Sequence, residues 1–220
     1  MLVHGLGRSS ASLEGVARRL RAEGFAVVNH DYASTRSRVA DPAAALARRL
    51  PELVPADATK VHFVTHSLGG IVVRQLLKEH AVARLGRVVM LAPPNRGSEL
   101  ADALREVGLL EAILGPASAQ LGTRDGDLPR SLGPVAFECG IIAGDRTFNP
   151  IGGVVFGGPN DGKVSVEAAK VDGMADFLVV HHTHTFLMNA DDVQRQIVQF
   201  LRTGHFEHEA AGSAEATKGK

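Results

Sequence analysis

Apolar residues along this chain alternate between two rhythms, short β-rich runs and stretches with the spacing of one helix face. Leu2 and Val3 read as the end of a strand. After a Gly-rich turn, Ser12 to Ala22 carries Leu13, Val16, Ala17 and Leu20 on one helical face, and Gly24 stops that helix. Phe25 to Asn29 predicts the next strand. Asp41-Pro42 predicts a helix start with Asp41 as N-cap, running through Leu50, with Pro51 and Pro55 ending it. Val61 to Thr65 predicts a buried strand, Gly70 to His80 a helix, and Val88 to Leu91 a further strand.

The alternation then pauses. Ser98 to Pro134 holds a helix with Leu100, Leu104, Val107 and Leu110 on its faces, followed by a Gly-, Pro- and Asp-rich stretch without an apolar period. This is the expected place of a small inserted cap or lid, taken as 98–135. Phe137 to Ala143 and Phe177 to Val180 predict the last two strands, and Val193 to Leu201 predicts a closing helix with Ile197, Val198 and Leu201 as its apolar face. Strands alternating with helices imply βαβ units, hence an α/β fold with a mostly parallel sheet covered on both faces. One domain is expected over 1–203. From Gly204 the Ala-, Glu-, Gly- and Lys-rich residues show no hydrophobic face and are expected to form a disordered tail, 204–220.

Candidate chemistry sits at the joints of this pattern. Thr65-His66-Ser67-Leu68-Gly69-Gly70 joins a predicted strand to a predicted helix. A serine on so sharp a turn projects its hydroxyl out of the sheet, beside a helix N-terminus. On its own such a serine is most simply a helix cap. The motif departs from Gly-x-Ser-x-Gly at Thr65, whose hydroxyl is expected to compensate with a local hydrogen bond. Val3-His4-Gly5-Leu6-Gly7 follows the first strand, and backbone N–H groups there and just after Ser67 are suited to hold a negative oxygen; Leu6 and Leu68 are the expected donors. His4 is expected to be structural. A dinucleotide loop is a poor match, because Gly5-x-Gly7 lacks a third glycine and only Asp31 loosely offers the acidic residue.

A carboxylate and then a histidine are expected to follow such a serine. Asp145 follows the strand Phe137 to Ala143 directly, while Asp161 lies in the tight turn Asn160-Asp161-Gly162 with Val164 and Val166 to anchor it. Asp161 is preferred and Asp145 stays open. Of His181, His182 and His184, the last is best placed as a base, flanked by Thr183 and Thr185 and anchored by Phe186, Leu187 and Met188; His182 is the alternative. The rival chemistry is a metal-dependent hydrolase using His181, His182 and His184 with Asp161, although their spacing is that of a loop rather than a zinc-binding helix. Gly157 to Lys163 imitates a phosphate loop, but Val164 lacks the hydroxyl needed there.

Composition narrows the partners. The chain has 220 residues with 24 Lys plus Arg against 24 Asp plus Glu, so no net field draws it to nucleic acid or an anionic membrane. Its one cysteine, Cys139, excludes an internal disulfide and is expected to be buried. No apolar run approaches the roughly 20 residues of a membrane span, and the chain as given reads as cytoplasmic. The abrupt start at Leu2-Val3 leaves room for upstream strands or a leader.

Taken together, Val3-His4-Gly5-Leu6-Gly7, Thr65 to Gly70, Leu91-Ala92-Pro93-Pro94-Asn95-Arg96-Gly97-Ser98, Asn160-Asp161-Gly162-x-Val164 and His184-Thr185-Phe186 resemble bacterial α/β-hydrolase esterases and lipases. They are similar in particular to glycosylphosphatidylinositol-inositol-deacylase-like proteins and small triacylglycerol lipases, over residues 3–188. The resemblance implies an N-terminally minimal α/β-hydrolase fold with catalytic Ser67, Asp161 and His184, which favours Asp161 over Asp145. It also implies independence of cofactors and metals, and a small-molecule ester or lipid substrate. It leaves oligomeric state open. A non-catalytic binding protein on the same scaffold is the competing expectation.

Overall fold

The computed structural model describes residues 1–106, 111, 114–148 and 156–208. Six strands, β1 (Leu2–Val3), β2 (Asn29–His30), β3 (Val61–His66), β4 (Leu85–Leu91), β5 (Cys139–Gly144) and β6 (Asp176–Val180), form one sheet in the order β2-β1-β3-β4-β5-β6. Every neighbouring pair is parallel. The expected α/β fold is therefore the observed one.

The central strands show why. In β3 and β4, Phe63, Val88 and Met90 belong to one buried cluster, while Val64, Val89 and Leu91 belong to a second. Side chains on a strand point alternately to its two faces, so a strand apolar at every position must be covered twice. Helices α2 (Ala40–Leu53) and α3 (Leu68–Glu79) cover the first face, and α1 (Glu14–Ala22) covers the second. Four further helices follow among the described residues: α4 (Glu99–Glu106), α5 (Leu128–Ser131), α6 (Val166–Ala169) and α7 (Asp191–Thr203). The last of these joins α1 over the second face through Val193, Ile197 and Leu201. Cys139 is fully buried in β5, and burial pushes its thiol pKa up to about 12.

Several boundaries differ from the expectation. Of the second predicted strand, Phe25 to Asn29, only Asn29 joins the ladder, together with His30 beyond it, because β1 offers just Leu2 and Val3 as partners; Phe25 and Val27 pack beside the α1 and α7 core without pairing. Helix α2 begins at Ala40, so Asp41 lies in its first turn rather than at the cap, which is Val39. It runs through Pro51 to Leu53, since a proline in the last turn removes one hydrogen bond and the next, Val54 N–H to Leu50 C=O at 3.0 Å, still forms. Helix α3 starts directly after Ser67.

The predicted tail needs correction over 204–208. Phe206 is 4% exposed and its ring lies 4.9 Å from that of Phe200, while its N–H donates to Asp176 Oδ2 at 2.7 Å. One aromatic side chain in a polar segment is enough to dock it, because Gly140 in β5 leaves the space that these two rings fill. Residues 209–220 lie outside the described residues, as do Val107 and Leu110 of the predicted cap. No described helix is long and apolar enough to cross a membrane.

The strand order places a functional crevice. The chain passes from β1 to β2 on one side and then to β3 on the other, so loops leaving the carboxyl ends of β1 and β3 diverge and open a gap between them. The Gly5 loop and Ser67 occupy those two exits. As a test of the corrected C-terminus, Phe206→Ala is expected to destabilise the fold by about 3 kcal/mol, read as a lowered denaturant midpoint; a midpoint unchanged within error would return Phe206 to the surface.

Candidate active site

Ser67 stands between the last residue of β3 and the first of α3 with φ 52° and ψ −122°, a conformation that L-residues rarely adopt. Such a residue stores on the order of 1–3 kcal/mol of strain. Its surroundings hold it there. The Ser67 N–H donates to Leu91 C=O at 2.8 Å, and Ser67 C=O accepts from Gly70 N–H at 2.9 Å. The helix behind it can approach β1 only because position 69 lacks a side chain: a Cβ on Gly69 would fall 2.3 Å from Val3 O and 2.7 Å from His4 O.

Thr65 behaves differently from the expectation. Its hydroxyl is fully buried and has no hydrogen-bond partner among the described residues. A Cβ on Gly70 would lie 3.4 Å from that hydroxyl, so the missing side chain at 70 leaves the room that a β-branched residue at 65 requires.

The Gly5 loop lies directly above this turn, close enough that a Cβ at Gly5 would sit 3.0 Å from His66 Nδ1 and 3.1 Å from the Ser67 Cβ. Tyr32 OH donates to His4 C=O at 2.9 Å, and Gly7 N–H donates to Ser34 Oγ at 3.0 Å. His4 is buried, bonded through Nδ1 to Gly5 C=O at 2.9 Å and stacked on Tyr32. It therefore serves the loop's shape, as expected. Asp31, the residue the dinucleotide reading would need, is spent on Ser10 N–H at 2.8 Å and on His4.

The three late histidines each face a different carboxylate. His184 Nδ1 donates to Asp161 Oδ2 at 2.7 Å, with both side chains almost wholly buried. His182 Nε2 bonds both oxygens of Asp192 at 2.9 Å, and His181 Nδ1 bonds Asp145 at 2.8 Å in the open, the imidazole 74% exposed. Asp145 thus pairs with the wrong imidazole to reach Ser67, and His182 is turned to the start of α7. Since the rings diverge, they form no metal-binding group with Asp161, and no group of three or more such ligands occurs among the described residues.

Asp161 is held from both ends. Its Oδ1 accepts from Lys163 N–H at 2.9 Å and Val164 N–H at 2.8 Å, and its carbonyl accepts from His184 N–H at 3.0 Å. Gly162 N–H caps the Asn160 side chain at 3.0 Å, closing the turn that presents the carboxylate. With Nδ1–H committed to Asp161, the His184 ring leaves its Nε2 lone pair free to accept a proton. Gly144, at the end of β5, is the clearance for this arrangement: a Cβ there would lie 2.4 Å from His182 O and 2.9 Å from the Asp161 Cβ.

Ser67, His184 and Leu6 line one cavity of about 140 Å³, and Leu68 is buried beneath it as the first residue of α3. As that first residue, Leu68 has an N–H with no intrahelical acceptor. Leu100, Ala101, Leu104, Leu114 and Leu121, all from the 98–135 segment, supply the apolar wall. That segment is pinned to itself by Arg105 on Asp127 at 3.1 Å, and to the body by Ser98 Oγ on Lys163 C=O at 2.9 Å and Ser165 Oγ on Glu99 at 2.7 Å.

Four residues of this region carried no role in the sequence reading. His66, inside the serine motif, donates from Nε2 to His184 C=O at 3.0 Å, and its ring lies 4.8 Å from the His184 ring. Burial, then the neighbouring His184, pushes its pKa well below the usual histidine range, so it stays neutral. Arg8 and Lys163 line the same cavity. A fourth, buried Arg74 of α3, holds the Leu91 to Ser98 motif by donating to Asn95 O and Oδ1, both at 3.1 Å, while Asn95 Nδ2 donates to Ala169 C=O at 2.8 Å. Burial lowers its pKa to about 10. Only the side-chain type at each position was visible in the sequence, not its direction.

A family model described as "Domain of unknown function (DUF7379)" matches residues 1–124, which include the Gly5 loop and Ser67 but end before Asp161 and His184. No curated protein matches the chain. Among solved structures, the lipase BlEst2 of Bacillus licheniformis in its mature form is similar at 25% identity, covering 92% of this chain and 90% of that one with a TM-score of 0.73. Phospholipase PlaB of Legionella pneumophila aligns at 18% identity over 92% of this chain and 56% of its own, TM-score 0.67. The metagenomic carboxyl esterase MGS0156 aligns at 20% identity over 85% and 65%, TM-score 0.62. These last two share the fold.

The tightness behind the serine is open to test. Gly69→Ala must push α3 away from β1 and is expected to cost about 1–3 kcal/mol, measured by denaturant unfolding. A fully stable variant would mean that the β1 to α3 contact is looser than described.

Proposed function

The chain belongs to the DUF7379 family and has the α/β-hydrolase fold, and on that premise we propose that it is a serine hydrolase of carboxylic esters. The observation that carries this reading is the buried His184 to Asp161 hydrogen bond of 2.7 Å, opening onto the same cavity as the strained Ser67 turn. A buried imidazole paired with a carboxylate beside a hydroxyl on a strained turn is the arrangement that makes serine nucleophilic. Similarity to a lipase over nearly the whole length of both chains supports ester bonds as the target.

In the proposed cycle Ser67 Oγ attacks the ester carbonyl carbon while His184 Nε2 takes its proton. The Leu6 and Leu68 N–H groups hold the oxyanion of the tetrahedral intermediate. Collapse breaks the bond to the alcohol oxygen, which receives the proton from His184, and leaves the acyl group on Ser67. Water then gives a proton to His184, attacks the acyl carbon and releases the acid, restoring Ser67. Asp161 stays ionised and fixes the His184 tautomer throughout. The steps balance with water as the sole co-reactant. The leucines of the 98–135 segment would receive the acyl chain, making that segment a cap over the site.

A fluorophosphonate probe is expected to label the protein and to fail on Ser67→Ala, whose turnover of p-nitrophenyl esters should fall by about 10⁴-fold or more. Labelling that survives in Ser67→Ala puts the reactive nucleophile elsewhere and sinks the assignment of Ser67, whereas no labelling of either form favours a non-catalytic binding protein. Asp161→Asn is expected to lower kcat by roughly 10⁴-fold, whereas Asp145→Asn, on an exposed pair, should leave kcat within a few-fold. The reverse order would transfer the acid's role to Asp145.

A further inference from the structure

Several cations of this protein are matched by nearby carboxylates. Arg87 pairs with Glu138, Arg105 with Asp127, and Arg96 with Asp172. Net charge is zero, so no whole-molecule field collects anions. The cavity holding Ser67 is lined by Arg8 and Lys163 and by no carboxylate, and neither cation has a carboxylate within ion-pair distance among the described residues. Asp161 is next but one to Lys163 in sequence, yet its carboxylate is already taken by His184 and two backbone amides.

The two cations also bracket the base. The Arg8 guanidinium donates at 3.4 Å to the carbonyl of Thr185, the residue after His184, and Lys163 follows the turn that presents Asp161 to His184. Both side chains line the one cavity; burial, and after it the Arg8 charge, lowers the Lys163 pKa, with Asp161 acting in the opposite sense. A second like charge is unfavourable unless an anion is meant to lie between them.

Resting on the ester-hydrolase reading, chemistry assigns that anion a place. His184 must hand its proton to the leaving alcohol, so the alcohol oxygen must lie at His184 Nε2, and substituents on the alcohol fall beside Arg8 and Lys163. The acyl chain is left the wall of Leu100, Leu104, Leu114 and Leu121. We propose that the site selects esters whose alcohol part carries a small oxyanion, phosphate or carboxylate, a few bonds from the ester oxygen, bound between Arg8 and Lys163. A guanidinium fork beside an ammonium suits such a group, the first by paired hydrogen bonds and the second as a point charge.

The test compares kcat/KM for three soluble hexanoyl esters below their aggregation concentrations: 1-hexanoylglycerol, 1-hexanoylglycerol 3-phosphate and hexanoyl glycolate. At least one anionic ester is expected to be cleaved about 10-fold more efficiently than the neutral one, with the preference shrinking as salt rises. In the double variant Arg8→Gln, Lys163→Gln the ratio should collapse toward one, while Arg8→Lys with Lys163→Arg keeps most of it; circular dichroism and melting temperature check that both variants are folded. Preference for the phosphate or for the carboxylate ester identifies which oxyanion is bound. Equal efficiency on all three, or a preference retained in the double Gln variant, overturns the proposal while leaving the hydrolase reading intact. No hydrolysis of any ester together with no fluorophosphonate labelling removes both.

Discussion

The backbone of Ser67 is held where a side-chain-bearing residue does not rest on its own, and much of the molecule is arranged to keep it there. The strain is offset by a hydrogen bond from its N–H into β4, by the buried apolar residues of β3 and α3, and by a glycine at 69 that lets the helix rest on β1. A local penalty of a few kcal/mol survives only when the surrounding packing over-determines it. Here the packing on either side of the turn belongs to the central strands, the least yielding part of the sheet.

The partition of histidines and carboxylates follows from the same sheet. Residues leaving β5 and β6 carry Asp145, Asp161 and the three imidazoles into one neighbourhood, where any pairing is chemically reasonable. Burial sorts them. The one pair lodged between the sheet and the 98–135 segment is His184 with Asp161, and the other two lie toward solvent, where an ion pair contributes little. A low-dielectric setting strengthens the inner hydrogen bond and makes the orientation of that imidazole unambiguous.

The 98–135 segment has a double character that fits this placement. Its polar residues, Asp102, Arg105 and Asp127, bond one another and give it an internal frame, and its leucines face the cavity. The remaining walls come from loops with cationic side chains, so the cavity is apolar on one part of its surface and charged beside the base. A pocket of that kind distinguishes ligands by which end carries charge, a property belonging to the assembly of loops rather than to any one of them.

The pattern along the chain was enough for the fold class, because short apolar runs alternating with helical faces imply βαβ units and hence a parallel sheet covered on both faces. The Ser67 turn, the Gly5 loop and the preference for Asp161 and His184 were likewise legible, each being a local motif whose backbone requirement is written in its own residues. Other features depended on residues distant in sequence. The depth of Asp161 against the shallower Asp145, the docking of Phe206 over Gly140, the bond of buried Arg74 to Gly133 C=O, and the place of Arg8 and Lys163 on one cavity wall are fixed by packing among elements far apart in the chain. Side-chain direction and burial are properties of neighbours in space, and a linear pattern records only neighbours along the chain.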